Sequence, residues 1–290
     1  MGLQEDGEGA PMPIPTGFPH LPENAMLLEV EGLRKSFSKR EVVKGVDLSV
    51  DAGEIVGLLG KNGAGKTTTF RMIMGMLRPN AGKVLFSGKD LGRTPMYLRA
   101  RAGVGYLSQE PSVFTGLSVE KNLLAVMETV DVTTKERVSW LDEVLAGFGL
   151  GEVRKSRAST LSGGERRRLE IARVMLTSPR LVLFDEPFSG IDPIAVFEIQ
   201  EVVHGLKKQG IGVLLTDHNV RETLAITDRT YIMDEGKIWL EGTPEELAAS
   251  PEARKRYLGE RFRLDSVRAA RPDAAGAEEE APSPPEAEAT

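Results

Sequence analysis

Apolar residues run in two rhythms along this chain, and the rhythm changes twice. Leu27-Leu28-Glu29-Val30-Glu31-Gly32-Leu33 and residues 41–50 alternate apolar with polar positions, the period of half-buried strands. Ile55-Val56-Gly57-Leu58-Leu59 is a short apolar run, the pattern of a buried strand, and a helix opens over 68–74 directly after it. Residues 82–86 and 104–107 read as further strands. From about 111 to 177 the pattern turns helical. Stretches 118–130, 134–148 and 164–176 carry the 3.6-residue period with almost no strand signal, which predicts an inserted helical subdomain. Strand rhythm returns at 181–187, 211–215, 230–233 and 237–241, with a helix over 194–208 between. A helix with a cap-like start at Thr243-Pro244-Glu245-Glu246 follows, and strands alternating with helices make this an α/β chain.

The turn between the apolar strand and the first helix reads Gly60-Lys61-Asn62-Gly63-Ala64-Gly65-Lys66-Thr67-Thr68, which fits G-x-x-x-x-G-K-[ST] without substitution. Glycines let the backbone curl so that successive N–H groups face one anion, and the helix start adds its partial positive charge. Lys66 then meets the β and γ phosphates of a nucleotide, and the Thr67 hydroxyl meets the Mg2+ that bridges them. Other candidates lie just past strands, where α/β sheets hold their ligands. They are Gln109, the pair Asp185 and Glu186, and His218. Charges at the end of a buried strand need a partner. Asp185 reads as a Mg2+ ligand through water, and Glu186 as the general base that orients the attacking water.

Three positions carry two readings each. Gln109 is either a solvated loop amide or a group that reaches Mg2+ or the water. Phe37, placed in the polar loop between the first two strands, is either packing or a flat platform for an adenine ring. Ser162-Gly163-Gly164-Glu165 has the spacing of a capping box, and its two glycines also leave N–H groups aimed at an anion.

With 40% hydrophobic residues the 290-residue chain has material for a real core. It contains no cysteine, so neither a disulfide framework nor a thiolate metal site is expected, as suits a reducing compartment. No apolar run approaches 18 residues and no signal-like start is present, so the expectation is a cytoplasmic protein. The net charge of −6 sits at the ends: acids outnumber bases by four in residues 1–25 and by five from 265 onward, leaving a mildly basic middle. That balance suits a nucleotide binder and argues against a nucleic-acid partner. Residues 1–25 and 265–290, rich in Gly, Pro, Ala and Glu, are expected to be disordered extensions.

The order of these motifs resembles the nucleotide-binding domain of the ATP-binding cassette family across residues 27–242. The resemblance rests on the phosphate loop, Gln109 after a strand, Leu161-Ser162-Gly163-Gly164-Glu165-Arg166-Arg167-Arg168, Phe184-Asp185-Glu186-Pro187, Ser189-Gly190-Ile191-Asp192 and Thr216-Asp217-His218. It implies a P-loop NTPase with a RecA-like core, an antiparallel β subdomain, an inserted helical subdomain (about 111–177) and a C-terminal helical extension over 243–264. It further implies a homodimer that sandwiches two ATP molecules. Each ATP would meet residues of the 60–68 loop on one copy and Ser162, Gly163 and Gly164 of the other, with Phe37, Gln109, Asp192 and His218 joining the site. ATP and Mg2+ are the implied cofactors. Integral membrane permease subunits are the implied partners, holding the chain at the inner face of the inner membrane, with Phe114 as the candidate contact. Gly105–Phe114 and the ending Tyr257-Leu258-Gly259-Glu260-Arg261-Phe262-Arg263-Leu264 are similar to the lipopolysaccharide-export branch, with branched-chain amino-acid importers and soluble cassette proteins as alternatives.

Overall fold

The computed structural model describes residues 25–130, 133–260 and 262. The expectations for residues 1–24, for Arg261 and for everything from 263 onward lie outside the described residues. In chain order the first strands are β1 (Met26–Phe37), β2 (Arg40–Asp51), β3 (Ile55–Gly60), β4 (Ala81–Phe86) and β5 (Lys89–Asp90), with helix α1 (Lys66–Ile73) after β3. Helix α2 (Met96–Arg101) and strand β6 (Val104–Leu107) lead into helices α3 (Val119–Met127), α4 (Thr134–Gly147) and α5 (Gly163–Met175). The chain continues through β7 (Leu181–Asp185), α6 (Pro193–Lys208), β8 (Gly212–Thr216), α7 (Val220–Ile226), β9 (Arg229–Asp234) and β10 (Lys237–Gly242). It ends in α8 (Pro244–Ala249) and α9 (Pro251–Ala253), which runs into a π turn over Arg254–Leu258.

Two sheets organise these elements. One is four-stranded and antiparallel in the order β2-β1-β4-β5; the other is six-stranded in the order β10-β9-β3-β8-β7-β6. In the second, β9, β3, β8, β7 and β6 are parallel and β10 pairs antiparallel at the edge. Both faces of this sheet are covered, which is why its central strands are apolar at every position rather than at alternate ones. Val182, Phe184, Val213 and Leu215 point into a core shared with α3, α4, α5 and α6. Leu181, Leu183 and Leu214 point the other way, into a core shared with α1 and the antiparallel sheet. Each such side chain, taken fully out of water, contributes about 1.5–3 kcal/mol before entropy is counted.

Side-chain caps start the helices of the inserted stretch, and the Ser162–Glu165 box is the one the sequence spacing pointed to. Ser118 accepts a hydrogen bond from the Lys121 amide at the start of α3, and Thr133–Glu136 and Ser162–Glu165 form reciprocal capping boxes at α4 and α5. One placement is corrected. Phe37 is not in a loop but is the last residue of β1, paired with Arg40 across a two-residue Ser38-Lys39 turn. Ser38 takes the left-handed conformation (φ 54°). A Ser-Lys turn carries none of the Asn-Gly or Gly-X signal that usually marks so tight a hairpin, so the alternation alone stopped short. The two-residue β5, the six-residue α2 and the seven-residue α7 are too short to show a period of their own.

Candidate functional site

Because β3, β8, β7 and β6 are parallel neighbours, the loops after them emerge at one edge of the sheet. This brings together four stretches far apart in sequence: the phosphate loop after β3, His218 after β8, Asp185 and Glu186 at the end of β7, and Gln109 after β6. The Gln109 amide donates to Glu186 Oε2 at 2.8 Å. His218 Nδ1 lies 3.5 Å from the same oxygen and 3.4 Å from Asp217 Oδ1. Glu186 itself adopts a left-handed backbone (φ 50°), a conformation that costs a non-glycine residue about 1–3 kcal/mol. Its amide donates to the Thr216 carbonyl at 2.8 Å, which holds the turn in place.

The phosphate loop is shaped by contacts that exclude a side chain. A Cβ on Gly60 would stand 2.4 Å from the Met233 carbonyl oxygen, and Gly65 (φ 109°) is the N-cap of α1, hemmed by the Val42 carbonyl and Met233. Gly63 also takes a positive φ (81°), with open space around it. The turn between β9 and β10 braces the loop from outside, through Gly236 N–H to the Ala64 carbonyl at 3.0 Å. Lys66 is buried and donates to the carbonyls of Gly60 (2.6 Å) and Lys61 (3.2 Å). Burial pulls its ammonium below the ordinary lysine value, against the opposing pull of Glu186, Asp185 and Asp217. Thr67 and Asn62 face solvent and Thr68 is half-buried. Beside the loop runs a cleft of about 470 Å³ lined by Arg40, Val42, Lys44 and residues 61–64, together with the acids Glu41, Asp234 and Glu235. Phe37, 47% exposed at the tip of the β1–β2 hairpin, has the Lys35 ammonium 5.5 Å from its ring centre.

Asp185 is 4% exposed and accepts a hydrogen bond from the Tyr106 hydroxyl at 3.2 Å. Burial raises its carboxyl above the usual carboxylate range, and the Tyr106 bond only partly offsets this. Burial and the neighbouring carboxylate in turn push the Tyr106 phenol well above its ordinary value. Tyr106 and Asp217 are residues that motif reading passed over. Asp217 accepts from the Phe188 amide and the Asn219 amide, both at 2.9 Å, so one carboxylate pins the turns carrying Glu186 and His218. The signal for Tyr106 was available: in the β6 run Val104-Gly105-Tyr106-Leu107 it is the single polar group beside the β7 carboxylate.

The remaining candidates sit elsewhere. Ser162 and Gly163 are exposed at the start of α5, and the Ser162 hydroxyl accepts from the Glu165 amide of its own helix. Gly164 is buried, because a Cβ there would meet the Ala195 side chain of α6 at 3.0 Å. Asp192 caps α6, accepting from the Ile194 and Ala195 amides at 3.1 and 3.0 Å. Phe114 is 50% exposed, on a loop held by Asn122, whose carboxamide bonds both the Phe114 amide (2.8 Å) and carbonyl (3.0 Å).

A parallel sheet whose strand ends gather a phosphate loop, an Asp-Glu pair, a glutamine and a histidine defines an ATP-binding cassette. The chain belongs to the ABC transporter family, as one of its ATP-binding subunits: the family's model, described as ABC transporter, matches residues 43–189. Solved structures with the same fold include an ATP-binding cassette of an ABC transporter in its ADP conformation (TM-score 0.72, 26% identity, 81% of this chain and 99% of that one). Another is cbiO1 from Clostridium perfringens, part of the transporter complex cbiONQ (TM-score 0.72, 27% identity, 81% and 96%). Among curated relatives, the lipopolysaccharide export system ATP-binding protein LptB of Acidithiobacillus ferridurans is 50% identical over 82% of this chain and 99% of its own length. LptB of Escherichia coli K12 is 46% identical over the same shares. A probable ABC transporter ATP-binding protein of Azorhizobium caulinodans is 53% identical over 86% of this chain and 89% of its own.

Proposed function

We propose that this chain hydrolyses ATP as a homodimer to drive separate permease subunits that export lipopolysaccharide, acting at the inner face of the inner membrane through those partners. The observation that carries the chemistry is the convergence of Gln109, Glu186 and His218 on one carboxylate oxygen opposite the phosphate loop. In this reading Glu186 is the base that takes a proton from the attacking water, and Gln109 and His218 orient it. Lys66 and the 60–68 loop amides balance the triphosphate charge, and Phe37 and the cleft beside Asn62–Ala64 receive the adenine and ribose. A second copy brings Ser162, Gly163, Gly164 and Asp192 to the same triphosphate.

Mg2+ fits the residues present. A buried Asp185 carboxylate, the Thr67 hydroxyl and the Gln109 amide are the hard oxygen donors such an ion takes. When bound, it withdraws charge from the transferring phosphoryl group. Among the described residues no three His, Asp or Glu side chains gather as an ion site by themselves.

The permease reading is supported by two further facts: no helix among the described residues is long and apolar enough to cross a membrane, and Phe114 presents an exposed ring on a braced loop. Relatives named for lipopolysaccharide export match nearly their whole length, which favours export over the amino-acid importer reading. Co-purification with the membrane subunits tests the assignment. Phe114→Ala is expected to lose the permease while keeping ATPase activity of the free chain. Undiminished capture by Phe114→Ala would move the docking contact elsewhere.

A further inference from the structure

Four contacts, organised around one ion pair within α5, join this helix to the loop that carries Gln109 and Phe114. Arg167 donates from Nη1 to the Ser108 carbonyl at 3.0 Å and to Glu170 Oε2 at 2.9 Å. The other oxygen of Glu170 accepts the Ser112 amide at 2.9 Å. Arg173 donates to the Ser112 carbonyl and stands 4.7 Å over the Phe114 ring. The Arg167 and Glu170 side chains are 8% and 4% exposed, and Arg167 Nε and Nη2 have no hydrogen-bond partner among the described residues. A guanidinium taken out of water with so few contacts costs stability, so replacing such a pair by apolar side chains is often neutral or favourable. The pair therefore counts for little in holding the fold together, and its contacts point to another use.

That use follows from where the contacts fall. Ser108 and Ser112 bracket Gln109-Glu110-Pro111, a stretch with no sheet or helix hydrogen bonds of its own. Held at one end only, this irregular loop would leave the 2.8 Å contact from Gln109 to Glu186 to chance. Held at both ends by one ion pair, it takes its position from α5, the helix whose first turn is Ser162-Gly163-Gly164. We propose that Arg167 and Glu170 are positioning residues for ATP hydrolysis: the buried pair makes the glutamine loop and α5 one rigid unit, so that Gln109 meets Glu186 only when α5 is correctly placed. The inference rests on the reading of Gln109 and Glu186 as members of the catalytic set. It adds the device by which the helix expected to face the second copy's nucleotide is tied to the base of its own site.

The test is steady-state MgATP hydrolysis by the full chain carrying Arg167→Met together with Glu170→Leu, which removes the bonds to the Ser108 carbonyl and the Ser112 amide and leaves Arg173 as the remaining contact from α5. Rates are normalised to the measured stoichiometry of ATP binding, so that a misfolded fraction does not count. The expected result is a kcat at least tenfold lower with KM within twofold of the parent. Adding Gln109→Ala to this background should then cost less than twofold, because the loop has already lost its place. A kcat within twofold of the parent, or a Gln109→Ala cost undiminished in the double variant, overturns the proposal. Gln109→Ala in the parent chain separates the two levels of inference. If it lowers kcat while the pair variant does not, only the tether is wrong; if it is silent, the catalytic placement of Gln109 falls, and the tether's purpose with it. Should the double variant fail to fold, Glu170→Gln goes through the same measurements, since it keeps an acceptor for the Ser112 amide and removes the ion pair.

Discussion

The two halves of the candidate site are built by opposite means. At the carboxyl edge of the parallel sheet, Lys66, Asp185, Glu186 and Asp217 are crowded and mostly buried; burial pulls the Lys66 ammonium down and pushes the Asp185 carboxyl up, and Glu186 holds a left-handed backbone. At the start of α5, Ser162 and Gly163 stand in solvent and Ser162 satisfies its own helix. The first half holds charge out of water and a strained turn. The second half is exposed and self-satisfied, and in the proposed homodimer it is the half that meets the other copy's nucleotide. If the site is divided between two copies as proposed, the α5 tether is a path by which one half senses the other.

Four measurements press on that contrast. The largest effect is expected at Glu186: Glu186→Gln should lower turnover by about 10²–10⁴-fold, the usual weight of a general base, while ATP binding persists and an ATP-held dimer accumulates in size-exclusion chromatography. Hydrolysis at the parent rate would take Glu186 out of that role. Next comes complementation. Lys66→Ala and Ser162→Arg should each be inactive alone, and mixing them should restore hydrolysis, because the mixed dimer keeps one site with both native halves. A mixture as inactive as its components would show that the two halves do not meet across copies.

A smaller effect is expected at Phe37. Stacking of a base on an aromatic ring is worth about 1–3 kcal/mol, so Phe37→Ala should weaken ATP binding by about five- to 150-fold in calorimetry and leave thermal stability nearly unchanged, since the ring is half exposed. Equal affinity would leave Phe37 as hairpin packing. The smallest is a stability effect at Asp185. Burial raises its folded pKa above the unfolded value, so its ionisation costs stability that is absent below the unfolded pKa and complete above the folded one. Asp185→Asn removes that cost. Without nucleotide or metal its Tm gain over the parent should therefore grow as pH rises through the carboxylate range, by about 2–4 °C per kcal/mol relieved, and vanish in acid. A Tm difference independent of pH would remove desolvation as the dominant influence.

Much of this molecule was legible before folding. Ile55–Gly60, Leu181–Asp185 and Gly212–Thr216 announce themselves as buried strands because runs of apolar residues of that length suit little else, and the phosphate loop is local chemistry. The Ser162–Glu165 box was equally plain, since a cap involves only residues three apart. Short elements such as α2 and α7 escaped because six or seven residues hold less than two helical turns. The hairpin carrying Phe37 was cut short for want of a turn signal.

What local pattern cannot encode is the order of strands in a sheet. Gln109 and Glu186 stand 77 positions apart and Tyr106 and Asp185 79 apart; they meet only because β6 docks beside β7 rather than beside β5, the strand before it in the chain. The double brace by Asp217 and the bridge from α5 to Ser108 and Ser112 have the same origin. Residue types and spacings alone determined which groups are able to bind phosphate, hold Mg2+ or take a proton. Tertiary structure decided which of them touch, because contact depends on the burial of distant faces against one another, a free energy spread over the whole core that no short stretch of chain carries by itself.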